Sequence, residues 1–179
     1  MSESATSAVL LCVPEAEPLV HAWRSEGDPS AARGVPAHVT LLAPFLPVEQ
    51  VDAGVLGELE WFFAGVDAFR LSFSTVGCFE DDGVVYLEPD GTGLDELAGA
   101  LSRRWPEVPP YGGKHAEPKA HLTVVHTPDG ALRARASVAV ERGLPLLARA
   151  EHAALWTCDE GGRWSERATF PFGPAEQAD

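Results

Sequence analysis

A six-residue pattern occurs twice in this chain and restricts the fold more than any other feature of the sequence. Ala37-His38-Val39-Thr40-Leu41-Leu42 returns 83 residues later as Ala120-His121-Leu122-Thr123-Val124-Val125. Each copy follows a loop containing Gly and Pro and lies in an apolar stretch of strand length. Side chains at i and i+2 of a strand project from the same face, ~6.5–7 Å apart. His38 and Thr40 therefore share one face, with Val39 and Leu41 on the other. His121 and Thr123 stand in the same relation to Leu122 and Val124. A buried strand gains little from two polar residues on one face. Repetition of that pattern half a chain apart points to two polar faces that meet in one cleft.

Two imidazoles and two hydroxyls around one cavity form a set suited to cleaving a phosphodiester. A neutral His takes a proton from the attacking oxygen, and an imidazolium gives one to the leaving oxygen. Among side chains only His has an unperturbed pKa, ~6.5, that permits both roles near neutrality. Hydroxyls donate to the non-bridging oxygens as charge develops in the transition state. The scheme needs no metal and no cofactor. A single His-x-Thr in a strand is weak evidence, because buried polar side chains are usually satisfied by the backbone. Two copies in matching strands carry the inference.

The remainder of the chain fits an α+β layout. Strands are expected at 6–13, Ala37–Phe45, Phe69–Phe79, Val84–Glu88, Ala120–His126, Ala150–Cys158 and Trp164–Phe172. Helical spacing marks Glu15 to Ser25, Val48 to Val66, Gly93–Trp105 and Asp129 to Glu141. Glu80-Asp81-Asp82-Gly83 and Asp159-Glu160-Gly161-Gly162 are turn signals between strands, so antiparallel hairpins are expected. Residues 27–36 and 107–119 read as Gly/Pro-rich loops. One domain is expected over 1–179, with loose tails at 1–5 and 174–179.

Charge narrows the class of partner. The chain carries 13 Lys and Arg against 27 Asp and Glu, a net charge of −14. Long duplex nucleic acid is held largely by basic side chains on its phosphates, so a small nucleotide or an RNA end is the expected substrate. No apolar run reaches the ~18 residues of a membrane helix. Met1-Ser2-Glu3-Ser4 lacks the basic start of a secretory signal, and Cys12, Cys78 and Cys158 are odd in number and far apart. The expectation is a cytoplasmic protein without disulfides.

With its two His-x-Thr motifs, Pro44-Phe45 after the first, and the hairpin strand Val84-Val85-Tyr86-Leu87, the chain resembles the 2H phosphoesterase superfamily, which includes the bacterial 2′-5′ RNA ligases. The likeness extends from about Ala8 to Phe172. It implies a bilobal fold with pseudo-twofold symmetry, antiparallel-rich sheets lining a central cleft, and helices outside. It also implies that His38, Thr40, His121 and Thr123 are the catalytic set. Activities of the family include opening 2′,3′-cyclic phosphates, cleaving or joining 2′-5′ linkages, and opening cyclic phosphates of ADP-ribose.

Four further residues are candidate substrate contacts. Lys114 and Tyr111 belong to a locally basic Gly/Pro loop that runs into the second motif. Arg33 holds the equivalent place before the first motif, and Phe45 offers a ring for stacking. Each also has a bland reading, as loop surface or as core. His115, His121 and His126 are not expected to bind a metal, since alternation sets His126 opposite His121 and no acidic partner has ligand spacing. His21, His152 and the five tryptophans read as structural.

The leading expectation is a metal-independent phosphodiesterase opening 2′,3′-cyclic phosphates. A 2′-5′ RNA ligase running the reverse chemistry and a nucleotide-binding module without turnover are the alternatives. The sequence leaves base preference, the choice of base and acid between the two histidines, and oligomeric state open.

Overall fold

The computed structural model describes residues 5–113 and 119–174. Among them run eight strands: β1 (Ser7–Cys12), β2 (His38–Leu42), β3 (Phe69–Phe79), β4 (Val84–Pro89), β5 (Leu122–His126), β6 (Leu146–Ala150), β7 (His152–Cys158) and β8 (Trp164–Pro171). The helices are α1 (Glu17–Gly27), the single turn α2 (Pro29–Ala32), α3 (Ala53–Ala64), α4 (Gly93–Arg104) and α5 (Gly130–Glu141).

The α+β class and the internal twofold are present. The expected antiparallel-rich sheets are the two halves of one continuous sheet, ordered β6-β3-β4-β5-β2-β1-β7-β8 with every neighbouring pair antiparallel. Its two four-stranded halves join where β5 meets β2, through the register pair Val39–Leu122. Those are the middle residues of the two motifs. The twofold therefore passes between them.

One face of the sheet is apolar and packs against helices. Val39, Leu41, Leu122 and Val124 are all buried there, each side chain contributing roughly 1.5–3 kcal/mol of transfer free energy. Helix α4 lies against β2 and α1 against β5, so the helix of each half backs the motif strand of the other. The opposite face carries a smaller cluster of Ala8, Leu10, Val35, Ala154 and Trp156 and is otherwise left to the cleft.

Each motif ends in a β-bulge. Leu10 pairs with Thr40 and Val9 with Leu42, which makes Leu41 the extra residue; Tyr86 pairs with Thr123 and Val85 with Val125, which makes Val124 the extra one. A bulge resets the in–out alternation, and accordingly Leu41–Leu42 and Val124–Val125 are buried as consecutive pairs.

Several boundaries differ from expectation. The segment 48–66 is a 3-10 turn (Val48–Gln50) followed by α3, because Asp52 Oδ1 accepts the Val55 N–H at 2.9 Å and starts a new helix. The 27–36 loop holds α2, capped in the same way by Asp28. The expected strand 150–158 is β7 alone, and β6 before it was not foreseen. At Glu151 the chain passes from one edge of the sheet to the other half, so β6 pairs with β3 while β7 pairs with β1. Strand β2 stops at Leu42, just short of Pro44, which has no N–H to give a ladder. Of the tryptophans, Trp105 and Trp156 are core as expected, but Trp61 is 77% exposed on α3. The expected tails lie almost wholly outside the described residues. No helix among the described residues is long and apolar enough to cross a membrane.

Candidate active site

Register across the seam brings the four motif side chains together. With Val39 opposite Leu122, the strand pleat turns His38, Thr40, His121 and Thr123 to the same face, and all four line one cavity of about 660 Å³. Tyr111, Arg33, Lys119, Phe79, Trp164 and the Asp28–Ser30 turn line it with them. A second cavity of about 480 Å³ adjoins it behind Tyr111, between β2 and α4.

The two imidazoles are anchored identically. His38 Nδ1 is 2.7 Å from the Pro36 carbonyl oxygen, and His121 Nδ1 is 2.7 Å from that of Lys119. A carbonyl only accepts, so the proton of the neutral ring is on Nδ1 and Nε2 is the nitrogen that titrates. The residue before each histidine is held too. Ala37 N–H donates to Glu17 Oε1 at 2.6 Å, and Ala120 N–H to Asp95 Oδ1 at 2.7 Å. Both carboxylates come from the first turn of a helix, α1 and α4.

The surroundings of the two rings differ. Burial pushes the pKa of His38 from 6.5 down to about 4, opposed by the Pro36 hydrogen bond and the Asp28 charge and assisted by the charges of Arg24 and His121. Arg24 and Asp28 form a buried ion pair at 2.9 Å, each side chain 3% exposed, and Ser30 Oγ donates to the same carboxylate. His121 lies instead among aromatic edges and faces: Phe79 at 5.2 Å, Tyr86 at 5.5 Å and Tyr111 at 6.5 Å between centroids. The Tyr86 ring stacks on Phe79 at 4.3 Å and covers Gly77, its cross-strand partner. A Cβ at Gly77 would stand 2.3 Å from Tyr86 Cζ, so only glycine admits the ring there.

Tyr111 and Arg33 line the cavity. Tyr111 holds a left-handed backbone, φ 52°, a conformation that costs a non-glycine residue energy and is found at sites that need it. Burial raises its phenol pKa, and hydrogen bonding with the Thr40 side chain opposes this. Lys114 lies outside the described residues. Phe45 is a correction: it is 3% exposed and packs edge-on against Trp105 at 5.4 Å, on the helix side of the sheet, so its ring cannot reach a ligand.

His126 is a second correction. The bulge at Val124 shifts the alternation, and His126 lines the same cavity as His121 instead of facing away. Even so, among the described residues no three His, Cys, Asp or Glu are grouped to hold a metal ion. Nothing in the local pattern marks Trp164 or Phe79 as cavity residues, because strand register alone brings them there. Lys119 was visible only as part of a basic loop; it pairs with Glu88 at the rim.

The chain belongs to the 2′-5′ RNA ligase superfamily, whose family model matches residues 12–162. No curated protein matches it. Solved structures of similar fold include TT0787 of Thermus thermophilus (TM-score 0.63, 19% identical, covering 96% of this chain and 100% of that one). Others are E. coli LigT complexed with 3′-AMP (TM-score 0.62, 17%, 95% and 99%) and with NADP+ (TM-score 0.60, 18%, 96% and 99%). At these identities the likeness is one of fold.

Proposed function

We propose that this chain is a metal-independent phosphodiesterase that opens ribose 2′,3′-cyclic phosphates of nucleotides or RNA ends. The observation that carries the reading is the duplicated anchoring of His38 and His121 through Nδ1 at one cavity, which supports Nε2 as the proton-transferring nitrogen of each.

Burial supports His38 as the base, since a ring with pKa about 4 is unprotonated at neutral pH. Its Nε2 takes a proton from water as the water oxygen bonds phosphorus. The bond from phosphorus to one ribose oxygen breaks, and imidazolium His121 gives that oxygen its proton. One P–O bond forms and one breaks, leaving a phosphomonoester beside a free hydroxyl. Thr40 and Thr123 donate to the non-bridging oxygens. The cavity volume suits a single nucleotide, and E. coli LigT was crystallised in complex with 3′-AMP, a ligand of that size. Arg33, Lys119 and Lys114 would offset phosphate charge, and Tyr111 or Trp164 would stack a base.

A 2′-5′ RNA ligase is the alternative, favoured by the superfamily to which the chain belongs. It would use the same two histidines, with an RNA 5′-hydroxyl attacking the cyclic phosphate in place of water while one P–O bond to the ribose breaks. The −14 charge works against a large RNA partner outside the cleft. A chelator-treated assay on a panel of 2′,3′-cyclic nucleotides and 2′-5′ dinucleotides tests both. Turnover of cyclic phosphates supports the proposal; turnover of 2′-5′ linkages alone transfers the case to the ligase, and turnover of neither contradicts both.

A further inference from the structure

Glu17 and Asp95 have no place in the proton transfers above, yet each is bonded to the peptide group that also holds a motif histidine. The amide joining Pro36 to Ala37 accepts His38 Nδ1–H on its oxygen at 2.7 Å and donates its N–H to Glu17 Oε1 at 2.6 Å. The amide joining Lys119 to Ala120 does the same between His121, at 2.7 Å, and Asp95 Oδ1, also at 2.7 Å. Helices α1 and α4, one from each half, supply the carboxylates. One such chain is a local accident of packing; two, related by the pseudo-twofold, mark a feature of the site.

We propose that Glu17 and Asp95 are positioning residues that act on His38 and His121 through these shared peptides, as two carboxylate–peptide–imidazole relays. A carboxylate on the N–H side draws the amide dipole into line and makes its oxygen a stronger acceptor, because hydrogen bonds in a chain polarise one another. The imidazole is thereby fixed in its Nδ1–H tautomer and its plane is set. When Nε2 gains a proton, the charge on the ring is answered across the peptide by the carboxylate. The effect is that of a carboxylate orienting a histidine directly, carried one peptide further.

Other charges face the same groups. Glu17 is 3.3 Å from His21 on α1, and its charge, after burial and Glu166, helps to raise the Cys12 thiol of β1. Asp95 acts on Lys119. His38 faces Arg24, Asp28 and His121. Glu17 is the more sheltered carboxylate, since Asp95 lies exposed on α4. The larger effect is therefore expected at His38.

The relay rests on both histidines titrating at Nε2, and its test is independent of activity. In Glu17→Gln the amide oxygen still accepts the Ala37 N–H, but the charge is gone. NMR of the imidazole nitrogens should show the His38 Nδ1–H proton moving upfield and exchanging faster, with that of His121 unmoved. Asp95→Asn should give the mirror image, and this surface variant serves alone should Glu17→Gln fail to fold. Glu17→Ala should lower kcat/KM about 10-fold, with the loss mainly in kcat, and Gln should recover part of it. Folded amide variants in which neither Nδ1–H signal moves would overturn the relay while leaving the two-histidine reading intact. An inactive wild-type protein whose Nδ1–H signals respond as described would sink the enzymatic reading and keep the relay.

Discussion

Val39 and Leu122 are register partners at the centre of the sheet, and each is the middle residue of a His-x-Thr motif. This pairing unites the two halves of the chain and sets the spacing of the catalytic candidates at once. Both side chains are 0% exposed. Leu122→Ala should therefore cost ~2–5 kcal/mol of stability, and kcat/KM of the folded fraction should fall with it. Chemical denaturation beside single-substrate kinetics checks both. A destabilised variant with full specific activity would show that the seam holds the fold but does not set the site.

His38 ties stability to pH. Its pKa is about 4 in the fold against 6.5 ordinarily, so the unfolded chain binds the proton first on acidification. Stability from this group is complete above pH 6.5 and is lost as pH falls toward 4. The full shift corresponds to ~3 kcal/mol, less wherever solvent reaches the ring. His38→Asn abolishes this dependence. The stability of the variant relative to wild type should rise between pH 7 and pH 4.5. A difference that stays constant over that interval contradicts a half-buried His38 that is neutral in the fold.

Phe45 and Trp164 should separate in their behaviour. Phe45→Ala opens the core beside Trp105 and should cost ~3–5 kcal/mol with normal KM in the folded protein. Trp164→Ala at the half-exposed cavity wall, where the ring packs against the Ala8, Leu10 and Trp156 cluster, should cost less stability than Phe45→Ala and raise KM for a cyclic nucleotide. An unchanged KM in Trp164→Ala would remove it from the binding surface.

Loss of one hydroxyl should matter less than loss of an imidazole. Thr40→Ala and Thr123→Ala should each lower kcat by ~10²–10³ at most, the worth of one oxyanion donor, and Thr→Ser should be mild at both positions. A Thr→Ala effect exceeding that of His→Ala would assign the hydroxyls a larger part than hydrogen bonding to the phosphate.

The motif faces were legible because strand alternation is local, and two residues suffice to read it. The register that brings Val39 against Leu122 is not local; it depends on the packing of α1 and α4 behind the opposite strands. Alternation alone sets His126 on the wrong face for the same reason, since a bulge at Val124 leaves no mark in one sequence. Phe45 sits next to the first motif but beyond the end of β2, where the chain has already turned into the core. Trp164 and Phe79 belong to strands whose own pattern is ordinary, and Glu17 and Asp95 look like any acidic residue in a first helical turn. Only tertiary placement distinguishes them.

In the proposed reaction His38 and His121 act as one acid–base unit on a phosphodiester. The most direct test is kcat/KM on a 2′,3′-cyclic nucleotide in EDTA for wild type, His38→Ala, His121→Ala and the double variant, each with its melting temperature. Either single change should lower the rate ~10²–10⁴-fold in a protein that still folds. The double change should cost far less than the product of the two, because the residues serve the same step. Wild-type activity should trace a bell with pH whose limbs belong to the coupled pair. Stable single variants with undiminished activity, or losses that multiply in the double variant, would contradict the account.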